Sequence, residues 1–254
     1  MSAHRFFLAS PLADDADGAL PLSAADLHHA VDVLRLRAGE EIDVVEPDGR
    51  VWRLRVTEAS RRGVFGARMG EVAALDSPRV TLFQGVAKGE KMDDIVRQAV
   101  EIGAEEIVPV LTARCVVQLD AAKRAARGER WRRVALAAAK QAKRASVPAV
   151  SDPVSLADAL SLLTAFDGAV VLWEESDGED VAEAVRRCAS SLQSRVALIV
   201  GPEGGLAAEE VAALQAIGAT TASLGPTILR TETAAVVALA LAIGALGGLG
   251  NARG

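Results

Sequence analysis

Residues 195–210 read RVALIVGPEGGLAAEE, and this stretch decides the fold class. Arg195 to Val200 is a compact apolar run of the kind shown by a parallel strand covered on both faces. Gly201-Pro202-Glu203-Gly204-Gly205-Leu206 then turns the chain, and Ala207-Ala208-Glu209-Glu210 opens a helix. A buried strand that runs straight into a helix is the repeating step of a parallel α/β sheet. The same step recurs at Gly168 to Trp173 and at Thr220 to Leu224. It also recurs upstream, where Arg79 to Val86 precedes a helix from Lys91 to Gly103 that gathers Ile95, Val96, Ala99, Val100 and Ile102 on one face. Strands are expected at Glu106 to Leu111 and at Arg114 to Gln118. A long basic helix is expected from Leu119 to Arg144, broken near Gly128 and ended by Val147-Pro148.

Before Arg79 the pattern is different. A helix near Ser23 to Leu34 is followed by Ile42 to Glu46 and Val51 to Thr57, two strands joined through Pro47-Asp48-Gly49, and by a further strand from Val64 to Met69. These short strands predict a small β-barrel, with Ala73 to Pro78 as linker. The chain therefore divides into a domain over residues 1–74 and an α/β domain over residues 79–250. With 254 residues, half of them apolar, there is enough material for a core in each.

Composition removes several functions. Cys115 and Cys188 lie far apart without CxxC spacing, and His4, His28 and His29 all sit near the start, so no metal site and no histidine-based triad is expected. Met1 to Leu8 carries His4 and Arg5 and does not read as a cleavable leader, while the Ala- and Gly-rich tail from Thr233 to Leu249 reads as a buried helix, not a bilayer span. A cytoplasmic protein without membrane contact is expected. The net charge of −6 conceals an uneven distribution: Lys88 to Pro148 holds 13 Lys and Arg against 8 Asp and Glu, and Ala149 to Gly254 holds 5 against 13. A basic middle beside an acidic end suits one face for a polyanion. With only 3% aromatic residues, shape and phosphate contacts should outweigh base stacking.

In open parallel sheets, ligands sit beyond the carboxyl ends of the strands, which draws attention to the loops after the last three strands. The glycines of Gly201 to Gly205 permit close backbone approach, and Pro202 stiffens the turn, so main-chain groups can grip a ligand. The loop is neither a Walker loop nor a Gly-x-Gly-x-x-Gly fingerprint. After Leu224 come Gly225-Pro226-Thr227-Ile228-Leu229-Arg230-Thr231-Glu232-Thr233-Ala234, where Thr231 suits a helix cap and Glu232 a first turn. Arg230 is the anomaly. A permanent cation just before a helix N-terminus opposes the macrodipole, and an anionic partner would resolve the conflict, as would a surface ion pair.

Gly201-Pro202-Glu203-Gly204-Gly205-Leu206 together with Leu224-Gly225 and Ile228-Leu229-Arg230-Thr231-Glu232-Thr233-Ala234 closely resembles the 16S rRNA (uracil-N3)-methyltransferase family, members of the SPOUT class. The likeness covers nearly the whole chain. It includes Arg5-Phe6-Phe7, His28-His29 with Val33-Leu34-Arg35 and Gly39-Glu40, Lys88-Gly89-Glu90-Lys91-Met92-Asp93, Glu101-Ile102-Gly103, Glu106-Ile107-Val108-Pro109, Arg130-Trp131-Arg132-Arg133 and Gln141-Ala142-Lys143-Arg144. Asp152 to Asp167 agrees least, and Ala142 and Ala145 stand where relatives often carry small polar residues.

The resemblance implies a PUA-like RNA-binding barrel, then an α/β domain of SPOUT type with a C-terminal trefoil knot, S-adenosyl-L-methionine as cofactor, and a homodimer acting on 16S rRNA, within the small ribosomal subunit. It implies cofactor contacts at Leu172, Trp173, Glu174, Gly201, Pro202, Glu203, Gly204, Gly205, Leu224, Gly225, Ile228, Leu229 and Thr233. Uracil N3 carries a proton and is a poor nucleophile until that proton leaves. Arg230 is therefore the candidate for stabilising charge on the uracil oxygens, and Glu232 or Glu203 for taking the proton. Arg5, Arg35, Arg37, Lys88, Lys91 and Arg144 are candidate RNA contacts. Two other readings stand beside this one: a ribose 2′-O-methyltransferase of the same class, and a catalytically silent RNA-binding assembly factor.

Overall fold

The computed structural model describes residues 4–13, 18–72, 77–175, 179–189 and 191–249, and within them the chain forms two compact units. The first comprises residues 1–75 with 140–146, and the second residues 76–139 with 147–254. Residues 73–76 of the expected linker lie outside the described residues.

In the first unit β1 (His4–Phe7) pairs in parallel with β2 (Glu41–Val45), β2 pairs antiparallel with β3 (Val51–Ser60), and β3 antiparallel with β4 (Gly63–Val72). Among the described residues the strands form an open row in that order, extended by a bridge from Ala19 to Phe65, not a closed barrel. The expected turn joins β2 to β3, with Gly49 at φ +89° and Asp48 accepting a hydrogen bond from the Arg50 amide at 3.0 Å. Helix α1 (Ala24–His28) is capped by Ser23 and passes into a π-helical turn over His29–Val33. Its apolar residues join Phe6, Ile42, Val44, Leu54 and Val56 in the core.

Residues 140–146 group with this unit, although they were expected to belong to the second domain. Lys140 Nζ lies 2.5 Å from the nearly buried carboxylate of Asp26, and Arg5 donates to the Lys143 carbonyl. Arg5 also pairs with Asp43 at 3.1 Å, opposite Arg53 at 3.0 Å. Burial opposes the Asp43 carboxylate, but its hydrogen bonds to the two guanidinium groups prevail and hold its carboxyl below the usual range.

The second unit is a parallel sheet in the order β11-β9-β10-β5-β6-β7, where β5 is Arg79–Gly85, β6 Glu106–Leu111, β7 Ala149–Val150, β9 Gly168–Leu172, β10 Arg195–Val200 and β11 Thr220–Ala222. The short strand β8 (Val154–Ser155) pairs with β6 beside β7. Helices α2 (Lys91–Ile102), α5 (Val181–Cys188) and α7 (Thr231–Ala245) pack together over one face. Helices α4 (Leu156–Leu163) and α6 (Ala208–Ala216) cover the other, where Phe83 meets Phe166 edge to face at 5.6 Å. Because both faces are covered, β10 is apolar after Arg195 and Val196 to Val200 are buried.

Two expected features are corrected. Arg114 to Gln118 is not a strand: β6 already has β5 along one edge and β7 with β8 along the other, so it cannot pair with the strand that precedes it, and Val116 stays 73% exposed. Helix α3 (Ala121–Gln141) is not broken at Gly128. Gly128 is buried in mid-helix, and a Cβ there would lie 1.9 Å from Asp152 Oδ1 as placed, so the glycine marks a close approach, not an interruption.

Candidate active site

Strand order brings the site together. Because β9 lies between β11 and β10 and all three run parallel, the loops after them open on the same edge of the sheet. Leu172-Trp173-Glu174, Gly201-Pro202-Glu203 with Gly205-Leu206, and Ala222 to Thr231 border a single cleft of about 830 Å³. A further wall comes from Lys88 in the loop after β5 and Lys91 at the start of α2.

Of the residues expected to bind cofactor, Leu172, Trp173, Glu174, Gly201, Pro202, Glu203, Gly205, Leu224, Gly225, Ile228 and Leu229 line this cleft. Gly204 and Thr233 do not. The Gly204 carbonyl accepts a hydrogen bond from Arg114 Nη1 at 2.9 Å, and Thr233 is exposed on α7. The loop's bend is held by Gly205 at φ +69°, whose amide donates to the Pro202 carbonyl at 2.9 Å. Glu210, buried on α6, accepts from the amides of Ala113 at 2.7 Å and Ala207 at 2.9 Å, which anchors the helix that follows the loop.

Arg230 lines the cleft as the N-cap of α7, exposed, and among the described residues its side chain is without a hydrogen bond or ion pair. The conflict seen in the sequence therefore persists in the fold: a guanidinium stands at the positive end of a helix with no anion paired to it, and the through-space attraction of Glu232 offsets it. Thr231 does not cap the helix as expected. Its hydroxyl, buried at the first helical position, donates to the Gly201 carbonyl at 2.6 Å and accepts from Gln84 Nε2 at 3.0 Å. Gln84 and Thr231 were both missed as site residues, and the signal for Gln84 was an amide directly after the apolar pair Leu82-Phe83 near the carboxyl end of a strand.

The two candidate bases share one cation. Lys91 Nζ stands 3.4 Å from Glu203 and 3.3 Å from Glu232. Glu203 also accepts from the Lys88 amide at 3.1 Å, whereas Glu232 lies outside the cleft lining. Partial burial works against the Glu232 carboxylate, but its own amide, Lys91 and Arg230 outweigh this and hold its carboxyl below the usual range. Such a group contributes stability above its ordinary pKa and loses it as pH falls through the lowered one. Replacing Lys91 with methionine should move the Glu232 carboxyl upward, toward the ordinary glutamate value, and reduce that acid-side loss. Carbon-13 carboxyl titration of Glu232 checks this; an unmoved midpoint would remove Lys91 as the cause.

The candidate RNA contacts separate. Lys88 and Lys91 stand at the cleft, with Lys91 engaged by the two carboxylates. Arg5, Arg35, Arg37 and Arg144 belong to the first unit. Arg5 is held by Asp43, while Arg35 and Arg37 are exposed, Arg35 at φ +53°.

The second unit matches the model of an RNA methyltransferase domain over residues 75–243, and residues 22–66 match an RNA methyltransferase PUA domain. Ribosomal RNA small subunit methyltransferase E of Bacillus subtilis is 35% identical over 223 residues, covering 86% of this chain and 87% of that protein. The protein of the same name from Mycobacterium bovis is 37% identical, covering 86% and 83%. A crystal structure of a ribosomal RNA small subunit methyltransferase E from Neisseria gonorrhoeae bound to S-adenosyl methionine aligns with a TM-score of 0.80 at 26% identity, covering 94% of this chain and 96% of that one. The chain belongs to the RNA methyltransferase family that includes the ribosomal RNA small subunit methyltransferase E proteins.

Proposed function

We propose that this protein transfers a methyl group from S-adenosyl-L-methionine to N3 of a uridine in 16S rRNA, with the small ribosomal subunit as substrate. The observation that carries the reading is the convergence of three strand-end loops on one cleft, with an unpaired arginine at its rim. The residues fit the cofactor. The cleft has the volume of a small-molecule site, three glycines lie along it, and a Cβ on Gly225 would meet no atom within 4 Å, which leaves that stretch open to a ligand. The cofactor, when bound, supplies a methyl carbon already activated by its sulfonium.

The chain's own contribution is alignment and charge. Arg230 presents a fixed cation and a planar fork of donors to the uracil carbonyl oxygens, which carry the negative charge once N3 loses its proton. Between the two carboxylates, Glu203 is the better proton acceptor, since it lines the cleft and Glu232 does not. The lowered pKa of Glu232 further weakens it as a base at neutral pH. Lys88 and the exposed Arg35 and Arg37 are assigned to RNA phosphates. Arg5 is withdrawn from that role by its ion pair.

The same reading includes a homodimer and a trefoil knot. Leu241 on α7 is 41% exposed and Ile228 at the cleft rim 82%, apolar surface that a second copy would cover. Support for a C-terminal segment passed through the loops comes from Thr231, which bonds the Gly201 loop from the start of α7. A cytoplasmic site of action belongs to the reading as well; among the described residues no helix is long and apolar enough to cross a membrane.

The test is transfer of a labelled methyl group from S-adenosyl-L-methionine to unmodified small subunits, followed by nucleoside mass spectrometry of the 16S rRNA. N3-methyluridine is the expected product. A ribose-methylated nucleoside, or no transfer by protein that binds the cofactor, would overturn it.

A further inference from the structure

Gln84 is completely buried at the end of β5, in a strand whose neighbours Leu82 and Phe83 are apolar core. An amide there is costly unless its hydrogen-bonding groups find partners. Its Nε2, with two protons to give, lies within hydrogen-bonding distance of three acceptors, the carbonyl of Gly85 at 2.9 Å, Thr231 Oγ1 at 3.0 Å and the carbonyl of Gly201 at 3.3 Å, so one proton is shared between two of them. The Thr231 hydroxyl donates in turn to the same Gly201 carbonyl at 2.6 Å. Gln84, Thr231 and Gly201 thus close a triangle that joins three elements distant in sequence: β5, the loop after β10 and the first residue of α7.

The triangle has two consequences. The Gly201 carbonyl receives two donors from the protein, which fixes the direction of the first peptide of the glycine loop. And the start of α7 cannot shift without that loop, so the distance from Arg230 to the loop is set by Gln84, which lies outside the cleft lining, together with Thr231 at the cleft wall. Packing alone does not call for an amide. A methionine of similar size would fill the space and avoid the cost of Gln84 Oε1, which is buried without a partner. We infer that Gln84 and Thr231 are positioning residues that lock the Gly201–Gly205 loop to the N-terminus of α7 in its ligand-binding geometry, an inference that rests on the proposed function for what the loop holds.

The test uses the full chain and Thr231→Val, which keeps the shape and removes the hydroxyl, with Thr231→Ser as the variant that returns it and Gln84→Met as the second way to cut the tie. The first readout, backbone hydrogen exchange of residues 201–206 without cofactor, is independent of the proposed activity. Exchange is expected to quicken about tenfold in Thr231→Val and Gln84→Met and to return to within about threefold of wild type in Thr231→Ser. The second readout is affinity for S-adenosyl-L-methionine by calorimetry, expected to weaken about tenfold in the first two variants and recover in the third. The loss should fall mainly on cofactor KM, with kcat at saturation less affected. If Gln84→Met does not fold, Thr231→Val carries the test, with its melting curve as the check on folding. Unchanged exchange in folded Thr231→Val overturns the inference, as does faster exchange with unchanged cofactor affinity. If the wild type itself fails to bind S-adenosyl-L-methionine, the proposed function is what fails, and exchange still decides whether the tie holds the loop.

Discussion

Alanine in place of Arg230 is expected to slow methyl transfer by about 10²–10³-fold while leaving cofactor affinity within a few-fold, the loss typical of one donor removed from a developing negative charge. The residue is exposed and, among the described residues, its side chain forms no hydrogen bond or ion pair, so truncating it leaves no hydrogen-bond partner unsatisfied. Folding stability should change by no more than about 0.5 kcal/mol. Any change should favour the variant, because a cation at a helix N-terminus works against the macrodipole. That combination separates a catalytic role from a structural one. Arg230→Lys keeps the charge but not the planar fork, and it should recover only part of the rate. Single-turnover transfer to unmodified small subunits, with calorimetry of the cofactor on the same preparations, provides both readings. Transfer within about threefold of wild type in Arg230→Ala would take the guanidinium out of the mechanism.

The sheet and the cleft were largely legible in the sequence because both are local patterns. Arg195 to Val200 has to be buried on both sides to be so apolar, and the glycines after it have to turn. Reading three such strand ends, and knowing that parallel strands present their carboxyl ends together, was enough to bring Trp173, Gly201 and Leu224 to one place. What stayed hidden depends on partners far away in sequence. Thr231 read as a cap because capping is what a threonine does at a helix start, yet the structure uses its hydroxyl 30 residues back, on Gly201. Gly128 read as a break because the side chain it makes room for, Asp152, lies outside the helix. Arg114 to Gln118 has the residue types of a strand, but strand formation needs a free edge, and β6 had none to offer. Arg5 looked like a phosphate ligand until its partners Asp43 and the Lys143 carbonyl were known.

Distribution of charge around the cleft follows the same logic. Lys91 between Glu203 and Glu232 balances one carboxylate, while Arg230, which attracts Glu232 without pairing with it, keeps its guanidinium free at the rim. The glycine-loop side is thus suited to a cationic methyl donor, and the helix side to an anionic acceptor. No single residue in the sequence carries that separation; it arises when β5 places Lys91 opposite the loop after β10.

The glycine loop has a second support whose loss should be as damaging as that of Arg230. A Cβ placed on Gly85, the last residue of β5, would lie 2.5 Å from both the backbone N and the Cδ of Pro202, and 2.9 Å from the Gly201 carbonyl carbon. Those are main-chain and ring atoms, with no rotamer to turn away, so Gly85→Ala forces the loop itself to move. The move would also carry the start of α7, through the bond from Thr231 to Gly201. Overpacking of this kind costs about 1–3 kcal/mol of stability. Cofactor affinity should fall at least about tenfold, since a displaced loop loses more than one backbone contact worth roughly 1 kcal/mol each. Gly204→Ala is the contrast. A Cβ there would lie 3.1 Å from Arg114 Cβ, outside the cleft, in a loop whose bend is set by Gly205. Its effect on cofactor affinity should stay below about threefold, an energy under roughly 0.7 kcal/mol. Calorimetry and thermal melts of the two variants decide the matter. Equal losses would mean that the loop tolerates no added carbon anywhere, and the close approach of β5 would then have no special part in holding it.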